Sequence, residues 1–314
     1  MPENTYNDLD KQLTDLYQQG KYAEAIQILE PQMEAYPEYK GQTYNFLMCL
    51  QALNGQPEAA IEAFRNAQQE GVWWVERVLR EDEDLKSLQG REEFERLVET
   101  NNQVAKEALA TSEPGRLVIE PEEPPARPYP LLIALHGRNS NAADAALYYG
   151  RLNLEGWLVV LPESSQMEGW GSHTWDDPQQ AEEEVEAHYR EILENYEIDV
   201  DKVVLSGFSQ GAGLALLMGL ESEIPARGAI LIAPWWANVE SINQRAQSPA
   251  ASDLRVYFIT GGKDESKERA QEILEALSEQ EIPFEEENHP ELGHEFPPDF
   301  TRSIERAFEY ILKE

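Results

Sequence analysis

Val203-Val204-Leu205-Ser206-Gly207-Phe208-Ser209-Gln210-Gly211 is the stretch of this 314-residue chain that decides its fold. A short apolar run ends in G-x-S-x-G, and a second apolar run, 214–217, follows almost at once. The order predicts a strand, a sharp turn and a buried helix. A serine on such a turn is held in a strained backbone conformation that lifts its hydroxyl clear of the sheet. The residues two before and two after it must then be small, which accounts for Gly207 and Gly211. The helix points its N-terminus at Ser209 and favours negative charge there. The competing reading is a glycine-rich turn with an incidental serine, and the strand and helix on either side weigh against it.

Outward from this stretch the pattern alternates. Residues 116–120, 131–135, 157–161, 229–232 and 256–259 read as strands, with a weak one at 284–287. Residues 142–152 and 270–277 read as helices. So do the faces Ala181, Val185, Tyr189, Ile192 and Phe300, Ile304, Phe308, Ile311. The segment between Ile232 and Arg255 has little pattern and is too short for a large lid. Continuous apolar strands alternating with helices imply an α/β fold, with a mostly parallel sheet covered on both faces. Its chemistry belongs at the C-terminal ends of the strands.

A serine hydroxyl is a weak nucleophile and needs a base. There are five histidines. His294, in Gly293-His294-Glu295-Phe296-Pro297, follows the last strand and gives the chain order Ser…Asp…His. His136 ends the strand 131–135. His289 directly precedes Pro290, so its backbone is biased to an extended form and a structural role is expected. His188, on the helix with Tyr189, is read as a surface residue, and exposure is the simpler reading of His173. The base needs a carboxylate to fix its tautomer. Asp264 follows the strand 256–259 through Gly261 and Gly262, at the correct sheet edge. The developing oxyanion needs backbone N–H donors. Gln210, directly after the serine, is one, and Arg138, in the loop after 131–135, is expected to be the other.

With those residues in view, 115–314 resembles the α/β-hydrolase superfamily, particularly its phospholipase/carboxylesterase-like serine esterases. LLIALHG, GFSQGA, ITGGKDE and GH-x-FPP carry the resemblance. It implies Ser209 as nucleophile, His294 as general base and acid, Asp264 as orienting acid, and an acyl-enzyme that water resolves. Relatives often carry Gly and Asn soon after the HG dipeptide; Arg138-Asn139-Ser140-Asn141 stands there in this chain. Trp170, Trp175, Trp235 and Trp236 follow strands and could line an apolar substrate pocket, or simply pack loops.

Residues 1–110 differ. They are rich in Ala, Leu, Gln and Glu, and Gly20, Gly55 and Gly90 recur every 35 residues. Around the first pair Ala25 matches Ala60, Ile26 matches Ile61 and Leu29 matches Phe64, whereas the third unit is degenerate. Gly20, Tyr22, Ala25, Leu29 and Pro37 resemble a tetratricopeptide repeat. The expected organisation is therefore an all-α, tetratricopeptide-like repeat domain at 1–110 and an α/β-hydrolase domain at 111–314. Such a repeat could bind a protein or peptide, or serve as a spacer.

The formal charge is −35, from 60 acidic and 25 basic residues, and the excess is spread along the chain. Phosphate backbones and anionic lipids would be repelled. Cys49 is the lone cysteine, set among apolar residues, so a buried thiol is expected. No apolar run is long enough for a membrane span, and MPENTYNDLD lacks the features of a secretory leader. A cytoplasmic location is the expectation, with no cofactor or metal required. The readings that follow are a serine hydrolase acting on small-molecule esters, a peptidase or amidase of the same fold, or a repeat-based adaptor with a recruited or inactive hydrolase domain.

Overall fold

The computed structural model of the chain describes residues 6–121, 128–152, 154 and 156–313. It divides into two compact units. The first holds the chain up to Ser112 together with Met167–Ser172; the second holds Glu113–Gln166 and His173 onward.

The first unit is built from helices Tyr6–Gln18 (α1), Tyr22–Leu29 (α2), Lys40–Leu53 (α3), Pro57–Gln69 (α4), Glu76–Glu81 (α5) and Glu92–Thr111 (α6). Gly20, Gly55 and Gly90 all adopt a left-handed φ, +69°, +73° and +76°. After α1, Gly20 N–H bonds to Tyr17 and Lys21 N–H to Leu16; after α3, Gly55 N–H bonds to Ala52 and Gln56 N–H to Gln51. The two helix ends close in the same way, which requires a residue that tolerates φ > 0. Leu29, Leu50, Phe64 and Phe94 are fully buried between the helices, and Cys49 is buried beside them. Segment Met167–Ser172 lies in this unit, extended over 167–169 and turning at Trp170-Gly171: Trp170 N–H donates to the Trp73 carbonyl and Val75 N–H to that of Glu168. Arg77 pairs with the buried Glu168 carboxylate.

The second unit contains strands Gly115–Ile119 (β1), Tyr129–Leu135 (β2) and, after helix Ala142–Tyr149 (α7), Leu158–Glu163 (β3). Met167–Gly169 (β4), which belongs to the first unit, and Ser172–His173 (β5) pair in a separate ribbon. Helix Pro178–Asn195 (α8), strand Ile198–Phe208 (β6), helix Gln210–Leu220 (α9), strand Gly228–Ile232 (β7) and helix Val239–Ala246 (α10) follow. Strand Arg255–Gly261 (β8), helix Lys267–Glu279 (α11), strand Phe284–His289 (β9) and helix Phe300–Ile311 (α12) complete the unit. The seven-stranded sheet has the order β1-β3-β2-β6-β7-β8-β9. β1 is antiparallel to β3, and the other pairings are parallel. Side chains alternate between faces with period two. Leu131, Ile133 and Leu135 join the core beneath α8 to α11, while Leu132 and Ala134 join the one beneath α7 and α12.

Three features depart from the sequence reading. α10 forms where little pattern was seen, because only Ile242 and Ala246 of its eight residues are buried. His188 is buried, not at the surface: it lies on the inner face of α8 with Val185 and Ile192. His173 is buried too, with its N–H bonded to the Ser140 carbonyl. Among the described residues no helix is long and apolar enough to cross a membrane.

Candidate active site

β6 ends at Phe208 and α9 begins at Gln210, so Ser209 alone makes the turn, at φ 54° and ψ −118°. That conformation is costly for a residue with a Cβ and persists only where the surroundings over-determine it. The surroundings here are tight. A Cβ on Gly207 would lie 2.6 Å from Ala212 N, and one on Gly211 would lie 2.6 Å from the Leu135 carbonyl oxygen. Ser209 N–H donates to the Ile232 carbonyl at 2.9 Å, and Trp235 N–H donates to the Ser209 carbonyl at 3.1 Å, pinning the turn to the end of β7.

The loop between β9 and α12 brings His294 to this turn. Its Nε2 lies 2.9 Å from Ser209 Oγ, and its Nδ1 lies 3.1 and 3.0 Å from the two oxygens of Asp264. Two backbone bonds tie the loops that carry these groups, from Gly262 N–H to the His289 carbonyl and from Lys263 N–H to that of Leu292, both 2.9 Å. Glycine at 262 allows the approach, since a Cβ there would sit 2.8 Å from Pro290 Cα. Asp264 is 3% exposed. Burial by itself pushes its carboxyl up, but the His294 hydrogen bond and charge, with the Ser266 N–H at 2.7 Å, outweigh burial and hold it below its ordinary value. It is an anion placed behind an imidazole.

The remaining histidines are held elsewhere. His136 is 1% exposed, stacks on Trp175 at 4.5 Å and keeps Nδ1 2.7 Å from its neighbour's carbonyl, Gly137 O. Burial pushes its pKa down to about 3, against the opposing pull of that carbonyl. His289 lies 2.7 Å from Glu287. Glu287 also accepts bonds from Tyr257, Ser303 and Arg306. His173 contacts the Ser164 carbonyl and His188 contacts Arg116.

Gln210 N–H stands at the first turn of α9, beside Ser209, and Arg138 lies in the loop after β2. The four tryptophans separate. Trp235 is half-buried next to Ser209. Trp175 is buried and donates from its indole to the His136 carbonyl. Trp236 is buried against Gly213, and Trp170 is in the helical unit. The aromatic rings nearest His294 went unread in the sequence. Phe208 lies 5.0 Å from the imidazole, Phe296 stacks on Phe208 at 4.7 Å, and Tyr148 stacks on Phe296 at 3.7 Å. The only local signal was Phe296 in GH-x-FPP.

Comparison with known proteins fits this architecture. Residues 159–312 match the Phospholipase/Carboxylesterase family, and residues 5–109 match the A/B hydrolase-like N-terminal domain family. The second unit has the α/β-hydrolase fold, a mostly parallel seven-stranded sheet flanked by helices. The chain is 27% identical to an uncharacterised protein of Bacillus cereus, with a TM-score of 0.55 over 98% of both chains. Zea mays acyl-protein thioesterase 2 covers 63% of this chain with 99% of its own, at 18% identity and a TM-score of 0.51, a likeness of fold alone. Acyl-protein thioesterase 1 of Mycosarcoma maydis is 25% identical across 38% of this chain. The matched part is 52% of that relative, so the chain spans about half its length.

Proposed function

We propose that the hydrolase unit cleaves carboxylic esters, with Ser209 as nucleophile, His294 as general base and then general acid, and Asp264 as the carboxylate that orients the imidazole. The observation that carries this reading is the 2.9 Å separation of His294 Nε2 from Ser209 Oγ on a strained strand-to-helix turn, with Asp264 behind Nδ1. Nδ1–H donates to Asp264, which leaves Nε2 free to accept. As Ser209 Oγ adds to the carbonyl carbon, its proton passes to Nε2 and the carbonyl oxygen becomes an oxyanion. The N–H groups of Gln210 and Arg138 receive that charge, and the N-terminus of α9 adds to the field. Collapse expels the alkoxide, which takes the proton from Nε2 and leaves acyl-Ser209. Water then gives a proton to Nε2 and adds to the acyl carbon, and the second collapse releases the acid and restores Ser209.

An alkyl fluorophosphonate tests the nucleophile. Labelling of the full chain and none of Ser209→Ala supports the reading; equal labelling of both overturns it. Turnover of p-nitrophenyl esters, acyl thioesters and peptide anilides then orders the leaving groups. Thioesters enter the panel because a relative is named for them, and preferential cleavage of anilides would make the unit an amidase. Residues 1–110 we read as a tetratricopeptide-like array. The 35-residue spacing of Gly20, Gly55 and Gly90 and the matching closures of α1 and α3 support it. Within the first unit this array holds Met167–Ser172, and that is the role we assign to it.

A further inference from the structure

The two oxyanion donors come from different strand ends, Arg138 after β2 and Gln210 after β6, so something must hold them in register. Both side chains end on one carboxylate. Arg138 donates from Nη1 to Asp176 Oδ1 at 2.9 Å and from Nη2 to Oδ2 at 3.0 Å, a bidentate pair. Gln210 Nε2 donates to the same Oδ1 at 2.9 Å. The other end of the Gln210 amide is also fixed, because Oε1 accepts Trp175 N–H at 3.0 Å. Thr174 Oγ1 lies 3.0 Å from that Oε1 and 2.9 Å from Asp176 Oδ1, and donates its single proton to one of them. Gln210 is 3% exposed, so its amide has no water to fall back on. Between Arg138 and Gln210, Asp176 is the shared acceptor.

We propose that Asp176 is a positioning residue for the ester hydrolysis assigned above: it clamps Arg138 to Gln210 so that their backbone N–H groups converge on the oxygen that becomes charged. The proposal rests on that reading of Ser209 and of the two donors. The exposed part of the Arg138–Asp176 pair contributes little to stability, since both side chains are partly solvated, 31% and 42% exposed. Its consequence is geometric. A donor displaced by a fraction of an ångström still binds substrate but no longer meets the oxyanion, so the loss falls on kcat and spares KM. Arg138 keeps its backbone N–H whatever side chain it carries, and so a substitution there removes the clamp without removing the donor.

The test measures p-nitrophenyl ester turnover and trifluoromethyl ketone inhibition for full-length Asp176→Ala, Arg138→Leu and the double variant, with urea unfolding alongside. Each single variant should lose roughly 10- to 100-fold in kcat, lose affinity for the ketone in parallel and keep KM. The double variant should lose no more than the worse single one, because both cut the same clamp. Asp176→Asn, which still accepts from Gln210, should recover part of the loss. Unchanged kcat and ketone affinity in Asp176→Ala, a rise in KM alone, or additive losses would each overturn the proposal. If Asp176→Ala does not fold, Arg138→Leu in the same assays decides it. Ser209→Ala is run beside them. If it stays active, the underlying reading has failed; if it is dead while the clamp variants are normal, only the clamp has.

Discussion

Two loops at the C-terminal edge of the sheet each carry a histidine, after β2 and after β9, and their environments are opposite. The loop after β2 carries His136, sealed beneath Trp175, with Nδ1 at the Gly137 carbonyl, Nε2 accepting Ser164 N–H at 3.3 Å and the His173 ring 6.1 Å away. The loop after β9 carries His294, 27% exposed at the side chain, between a hydroxyl and a buried carboxylate. A general base has to become a cation during the reaction. A desolvated imidazole without an anion resists that, whereas one backed by a carboxylate is stabilised by it. Position at the C-terminal edge of the sheet is thus a weaker criterion for a base than the ability to hold a proton.

The sharpest way to break this contrast is to exchange the fates of the two rings. His294→Ala and Ser209→Ala should each cost roughly 10⁴- to 10⁶-fold in kcat, and Asp264→Asn roughly 10⁴-fold, read in an ester assay. His136→Gln should keep kcat within about tenfold of the parent and show its effect in stability. A large kcat loss there with normal unfolding would reassign the base. Next comes the turn itself: Gly211→Ala should destabilise the unit by about 3 kcal/mol or more in urea, because the added methyl meets backbone that cannot yield. Parent-like unfolding would show the elbow to be looser than described.

The third measurement uses pH. His136 titrates near 3 when folded and near 6.5 when unfolded, so the unfolded chain binds more protons between those values. Stability from its neutral form is complete above about 6.5 and falls as pH drops toward 3. From pH 7 to pH 5 the parent should lose up to about 2 kcal/mol more than His136→Gln. Parallel curves would mean that the ring is less sealed. Asp264 acts lower: its folded carboxyl is depressed, so its contribution is present above its ordinary value near 3.9 and is lost only as pH falls below it. The smallest effect is expected at Trp235, half-buried beside Ser209. Trp235→Ala should raise KM for longer acyl chains roughly tenfold or less and leave acetyl esters alone; equal effects on both would move it from pocket to packing.

Much of this was legible in the chain. Seven of the strands follow from apolar runs or weak alternation, and the shape of the elbow follows from five residues. What escaped had physical reasons. α10 buries two side chains and so leaves no stripe. β4 and β5 are only three and two residues long, and the further bridges at their ends come from positions far off in sequence, such as Ser140 for His173. His188 was misread because a polar residue was discounted on an apolar face, although 185, 188 and 192 share helical spacing. The Tyr148–Phe296–Phe208 stack joins α7, the loop after β9 and the end of β6, and no local pattern announces it.

The sequence by itself determined the turn at Ser209, because backbone clearance at Gly207 and Gly211 and the strand and helix around them are local matters of sterics and period. It also set the chain order of the polar groups. Only the tertiary structure decided which imidazole faces the hydroxyl, which is desolvated, and which carboxylate ties Arg138 to Gln210. Those outcomes depend on burial and on distances between residues 30 to 85 positions apart, and folding alone brings such residues to hydrogen-bonding range.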